Sequence, residues 1–231
     1  DWFLQHGIDA SFVGNPLMDD IQGRVRDNVK DYSDFRPSRA KIALMPGSRS
    51  AEIDTLWVPM QRVALRLKKK YPGITFTTVA VDAKRKEILK SMQLPGFVCS
   101  YTVSTVFETA AACDFSIVAS GSATLQVAAA GCPMVIMYQS SRVLWHLVGR
   151  WLVKTKFLSL VNILSGSQLV PEFMPYFTSH QPIGDSVEAL LENKSVLGKT
   201  SRELVSLTEP LYRGNAAQNT ADIITGMLEI Q

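Results

Sequence analysis

From position 41 the chain alternates short runs that are apolar throughout with longer stretches whose apolar residues recur every three to four positions. The runs are KIALMPG (41–47), ITFTTVA (74–80), GFVCS (96–100), DFSIVAS (114–120) and PMVIMY (133–138). The stretches between them, 51–70, 84–92, 105–112 and 123–130, read as helices. A strand that is apolar throughout is buried on both faces, and strands that alternate with helices make βαβ units. The fold class predicted is therefore α/β, a Rossmann-like, doubly wound parallel sheet. After Tyr138 the alternation stops, and from 185 the segments DSVEALLEN, TSRELVSLTEPLY and AAQNTADIITGMLE predict a helical C-terminal segment. The opening, DWFLQHGIDASFVGNP, reads as a helix end, a turn and a strand. Three parts are expected: a strand and linker helix over 1–35, a sheet domain over 36–184, and C-terminal helices over 185–231.

Composition excludes more than it adds. A chain of 231 residues that is 46% hydrophobic can bury a substantial core. Its 24 Lys and Arg nearly balance 21 Asp and Glu, so no nucleic-acid partner is expected. Cys99, Cys113 and Cys132 are odd in number, widely spaced and set among apolar neighbours. That fits small core residues in a reducing cytoplasm, and neither a disulfide framework nor a zinc motif. No apolar run reaches the roughly 18 to 20 residues of a membrane-spanning helix, and no secretory signal pattern stands at the start. The chain opens on Asp1 within an element already under way, and is expected to be a piece of a longer protein.

Open α/β sheets bind ligands in the crevice beyond the carboxyl ends of their strands, and two loops follow strand ends here. In the first, Gly47 lets the backbone turn sharply and Ser48 brings a hydroxyl. Arg49 adds a bidentate cation just ahead of a helix whose free N–H groups favour anions. A diphosphate clamp and an ordinary strand-to-helix turn with a solvated arginine are both consistent with this loop, which matches neither Walker A nor GxGxxG. In the second, Ser120, Gly121, Ser122, Ala123 and Thr124 are small or hydroxylated, which lets a backbone approach a phosphate or ribose closely. Gln126, one helical turn on, reads either as a ribose hydrogen-bonder or as a solvent-facing residue.

Glu52 and Asp54 read as first-turn residues that favour a helix N-terminus, not as a paired-carboxylate site. His6, His146 and His180 share no metal spacing and no catalytic triad stands out, so no metal, cofactor or catalytic residue is assigned. Residues 142–156 (RVLWHLVGRWLVKTK) place Leu144, Leu147, Val148, Trp151 and Leu152 close to helical spacing, with Trp145 among them. Arg142, Arg150, Lys154 and Lys156 stand beside them. Such a basic amphipathic segment fits the interface of an anionic membrane and equally a helix packed on the sheet or on a partner chain.

The succession FVGNP, ALMPGSRSAEI, ASGSATLQ, GCPMVIMY, LVKTKFLSLVNIL and LVPEFM resembles, in order and with fitting spacing, the C-terminal half of bacterial lipid-A-disaccharide synthases. The stretch 152–174 is the most specific part, because other nucleotide-sugar transferases do not share it. The resemblance implies a GT-B glycosyltransferase, in which the C-terminal of two Rossmann-like domains holds the nucleotide sugar. It implies transfer of 2,3-diacylglucosamine from its UDP derivative to 2,3-diacylglucosamine 1-phosphate, giving a β(1→6) disaccharide of lipid A biosynthesis with inversion and without a metal. By position Gly47, Ser48 and Arg49 match the family's diphosphate loop, and Asn162 matches an asparagine of its SLPNLL-like segment. Ser120 to Thr124, Gln126 and Glu172 complete the expected UDP-sugar contacts.

The chain departs from the family in carrying Asn15 where His is usual, Gln126 where Glu is usual and Val161 where Pro is common. An amide offers one acceptor and two donors, so Gln126 would hold a ribose with altered geometry. The general base is expected in the N-terminal domain, so this chain alone is expected to bind UDP or the UDP sugar weakly without turnover. The resemblance further implies a peripheral position on the inner face of the bacterial inner membrane, and the apolar C-terminal helices allow a homo-oligomer. Two alternatives stay open. One is another GT-B UDP-sugar enzyme, such as a cell-wall UDP-GlcNAc transferase or a non-hydrolysing epimerase. The other is a non-catalytic module that docks on a membrane or partner through 142–156.

Overall fold

The apolar runs become the strands of one parallel sheet. The computed structural model describes residues 2–19, 21, 28–141, 146–147, 155–212 and 214–229. Strands β1 (Lys41–Met45), β2 (Thr75–Ala80), β3 (Ser100–Val103), β4 (Phe115–Ala119), β5 (Met134–Met137) and β6 (Glu172–Phe173) pair in the order β3-β2-β1-β4-β5-β6, every pair parallel. Helices α1 (Trp2–Gln5) and α2 (Pro16–Asp19) precede the sheet, and α3 (Ser50–Lys70), α4 (Ala83–Ser91), α5 (Val106–Ala112) and α6 (Ala123–Ala129) connect its strands. Helices α7 (Leu160–Ser165), α8 (Gln181–Leu191), α9 (Lys194–Thr208) and α10 (Ala216–Glu229) follow β5, with β6 between α7 and α8. This is the predicted doubly wound sheet with a helical C-terminal segment.

Both faces of the sheet are dry because alternate strand residues feed separate cores. Ile42, Leu44, Phe115 and Ile117 meet Trp57 of α3 and Ile183 and Val187 of α8. Ala43, Met45, Val118 and Ile136 meet Phe107 of α5, Val127 of α6 and Leu204 of α9. Trp57 packs edge-on to Phe97 with centroids 5.6 Å apart and donates Nε1–H to the Leu89 carbonyl at 2.9 Å, which fixes α3 against α4. All three cysteines are free, and burial pushes the Cys132 thiol up to about 11 and the Cys113 thiol up to about 12.

Some expectations shift. Residues 8–15 form no strand, because no strand among the described residues completes a ladder with them, and Ile8 and Phe12 are exposed. Strand β3 begins at Ser100 and not at 96, because Gly96 takes a φ of 78° and the Phe97 N–H closes a turn on the Leu94 carbonyl at 3.1 Å, turning Phe97 into the core. Strand β6 is two residues long, too short for any periodicity to reveal. Of the amphipathic segment, Arg142, Leu144, Trp145, Val148, Arg150, Trp151, Leu152 and Lys154 lie outside the described residues, while Leu147 is 69% exposed. Among the described residues no helix is long and apolar enough to cross a membrane, and no three His, Cys, Asp or Glu side chains are grouped to hold a metal ion.

Candidate functional site

Strand order reverses between β1 and β4, and a doubly wound sheet opens a crevice there because its connections leave in opposite directions. The two strand-end loops face one another across this point and line a cavity of about 380 Å³. Gly47, Ser48, Arg49, Ser120, Gly121, Ser122, Ala123 and Gln126 all contribute to its wall. Thr124 does not: it is fully buried, and its hydroxyl donates to the Gly121 carbonyl at 2.7 Å, which shapes the loop from beneath. The hydroxyls of Ser48, Ser120 and Ser122 and the Gln126 amide have no hydrogen-bond partner among the described residues.

The loop after β1 is held from within. Glu52 Oε2 accepts the Ser48 N–H at 2.9 Å and the Arg49 N–H at 3.1 Å, and Glu52 Oε1 accepts from Arg49 Nη1 at 3.2 Å. Part of this is the reciprocal cap of an N3 glutamate on a helix start, so the first-turn reading of Glu52 describes it well. Gly47 adopts a φ of 100°, and a Cβ there would run into the Glu52 side chain, so the position requires glycine. The Arg49 side chain is 80% exposed against 11% for Glu52. Among the described residues lining the cavity, Arg49 is the one cation and Glu52 the one anion.

Several lining residues escaped the sequence reading. Val79, Ala80, Val81 and Val106 give the cavity an apolar side. Ser104, with a φ of 54°, donates its hydroxyl to the Val81 carbonyl at 2.7 Å and ties the ends of β2 and β3 together at the rim. All sit at or just past carboxyl ends of strands, and that position in a parallel sheet is the signal by which they could have been found.

Asn162 and Glu172 lie apart from the cavity wall and bond to one another. Asn162 is fully buried; its Nδ2 donates to Glu172 Oε2 at 2.9 Å and to the Val170 carbonyl at 2.9 Å, and its Oδ1 accepts the Val170 N–H at 3.0 Å. Glu172 also accepts from the N–H groups of Leu158 and Ser159 at 2.9 and 3.1 Å and from the Ser159 hydroxyl at 2.6 Å. Partial burial pushes the Glu172 carboxyl up, and these donors, led by the Ser159 hydroxyl, outweigh it and hold the group below the ordinary glutamate range. The knot fastens the start of α7 to the edge strand β6.

Residues 1–222 match the family model described as lipid-A-disaccharide synthetase. The chain belongs to the lipid-A-disaccharide synthase family. It is 30% identical over 229 residues to the lipid-A-disaccharide synthase of Geobacter sulfurreducens, covering 98% of this chain and 59% of that one. Against the enzyme of Pseudomonas aeruginosa it is 29% identical over 231 residues, covering 99% and 60%. The chain thus spans about three fifths of the length of these family members. Among solved structures, the S. aureus MnaA–UDP co-structure matches 99% of this chain and 58% of its own at a TM-score of 0.59 and 15% identity. WaaG, a glycosyltransferase involved in lipopolysaccharide biosynthesis, matches 92% and 52% at a TM-score of 0.51 and 14% identity. At such identities the likeness is one of fold, the Rossmann-like domain of GT-B glycosyltransferases.

Proposed function

We propose that this chain is the nucleotide-sugar-binding half of a lipid-A-disaccharide synthase, an inverting glycosyltransferase. The full enzyme would pass 2,3-diacylglucosamine from UDP to 2,3-diacylglucosamine 1-phosphate and form the β(1→6) bond. The observation that carries the reading is the cavity at the strand-order reversal. An exposed guanidinium and three unpartnered hydroxyls converge there beside an apolar wall, in a chain of this family. A departing nucleoside diphosphate gains negative charge as the glycosidic bond breaks, and Arg49 with Ser48, Ser120 and Ser122 are the groups placed to receive it. Gln126 is assigned to the ribose.

About 380 Å³ is at the small end of ligand pockets, which leaves the acyl chains outside it. We assign them, with the inner-membrane surface on its cytoplasmic face, to Leu147 and helix α7. Exposed Leu147 and, on α7, exposed Leu160, Ile163 and Leu164 support that assignment. The base that deprotonates the acceptor belongs to the part of the protein beyond this chain, so the 231 residues bind UDP without making disaccharide. Thermal unfolding with saturating UDP tests the reading, since a ligand of the folded state raises the midpoint by mass action. A rise that disappears in Arg49→Ala is expected; an unmoved midpoint contradicts the site.

A further inference from the structure

The loop that would hold the diphosphate already holds a carboxylate. Both backbone N–H groups at the turn, those of Ser48 and Arg49, and the Arg49 guanidinium point at Glu52. Two oxygens of one anionic group thus take the donors that a phosphate would seek. Glu52 cannot be read as a distant bystander, because it lines the same cavity and is tucked beneath the loop with little exposure. A dianionic ligand entering beside it meets a like charge and finds its best donors in use.

We infer that Glu52 is an internal competitor of the nucleotide diphosphate: it holds the donors that a phosphate would take, and yields Arg49 and the two amides when the ligand binds. This rests on the nucleotide site proposed above. In chemical terms Glu52 lowers affinity for the diphosphate and so favours release of the UDP product. It also keeps the loop preformed, because its cap holds the turn in which Gly47 takes a φ of 100°. Nothing in its role requires contact with the base or ribose, so its effect should depend on the phosphates alone.

Calorimetric titration of Glu52→Gln with UDP and with uridine tests this. The amide keeps an acceptor for the turn and removes the charge. UDP is expected to bind about tenfold more tightly than to the wild type, the order of a like-charge repulsion at about 4 Å when water screens it. Uridine binding should be unchanged. A residue that only capped the helix would weaken both ligands or leave both alone, and either result overturns the inference. A second readout needs no variant: in the wild-type chain the amide resonances of Ser48 and Arg49 should move on adding UDP and stay in place on adding uridine, and equal responses overturn it. If Arg49→Ala leaves UDP affinity unchanged, the site itself is wrong. If Arg49→Ala weakens UDP and Glu52→Gln fails to strengthen it, the site stands and the competitor role falls.

Discussion

Two polar clusters of this molecule use their hydrogen bonds in opposite ways. Around Glu172, protein donors converge on the carboxylate and both ends of the Asn162 amide are engaged, so the cluster is closed upon itself. At the strand-order reversal the hydroxyls of Ser48, Ser120 and Ser122 and the Gln126 amide are left open toward a cavity. A closed network stabilises and positions the backbone it joins. An open one has its capacity for a ligand intact. Both clusters carry residues that the family resemblance singles out, so the resemblance alone does not tell a holding role from a binding one; what sets them apart in the structure is that Ser48, Arg49 and Gln126 line a cavity and Asn162 and Glu172 do not.

Substitutions should therefore separate the clusters by what they change. The largest effect is expected from Asn162→Ala, which strips three hydrogen bonds from a fully buried position. Stability measured by urea unfolding should fall by about 3 kcal/mol, with UDP affinity of the folded protein little altered. Arg49→Ala should do the reverse: UDP affinity falls by about 1.5 to 3 kcal/mol in calorimetry, while unfolding shifts by less than about 0.5 kcal/mol. Should the two variants behave alike, the contrast between the clusters collapses.

Glu172→Gln is expected to cost roughly 1 kcal/mol at neutral pH, since a charged acceptor of several donors becomes neutral. The folded state holds this carboxyl below its ordinary range, so it binds fewer protons there than the unfolded chain does. Its stabilisation is present above the unfolded pKa and is lost as pH falls through the folded one. The difference between wild type and variant should shrink on acidification through the carboxylate range, and a gap that widens in acid would contradict the knot. The smallest effect is expected at Gly121, where an added Cβ meets no atom within 4 Å. Gly121→Ala should leave unfolding unchanged and lower UDP affinity by about 1 kcal/mol through the methyl group set at the mouth of the cavity.

Much of the fold was legible because it rests on burial. Strands β1, β4 and β5 are largely apolar and β2 (TFTTVA) is rich in β-branched residues, and a parallel sheet covered by helices buries such runs on both faces. The run 96–100 marks β3 too early, because Phe97 is as apolar as a strand residue but reaches the core from a turn. Residues 8–15 carry a strand-like pattern, but no strand among the described residues pairs with them, and pairing is not visible in the segment's own pattern. The two loops of the site could be read from their small and charged residues, whereas Val79, Val81 and Ser104 join them only through the topology of the sheet. Glu52 was legible as a helix-start residue but not as a neighbour of the cavity, because that depends on a loop conformation which Gly47 permits and local pattern does not display.

A structure of this chain with UDP shows whether the cavity beyond the ends of β1 and β4 holds the nucleotide diphosphate. The phosphates are expected within hydrogen-bonding distance of the Arg49 guanidinium and the Ser48 loop, with the ribose reaching Gln126. UDP bound elsewhere on the fold, with Arg49 and Ser48 turned away from it, would remove these residues from the site.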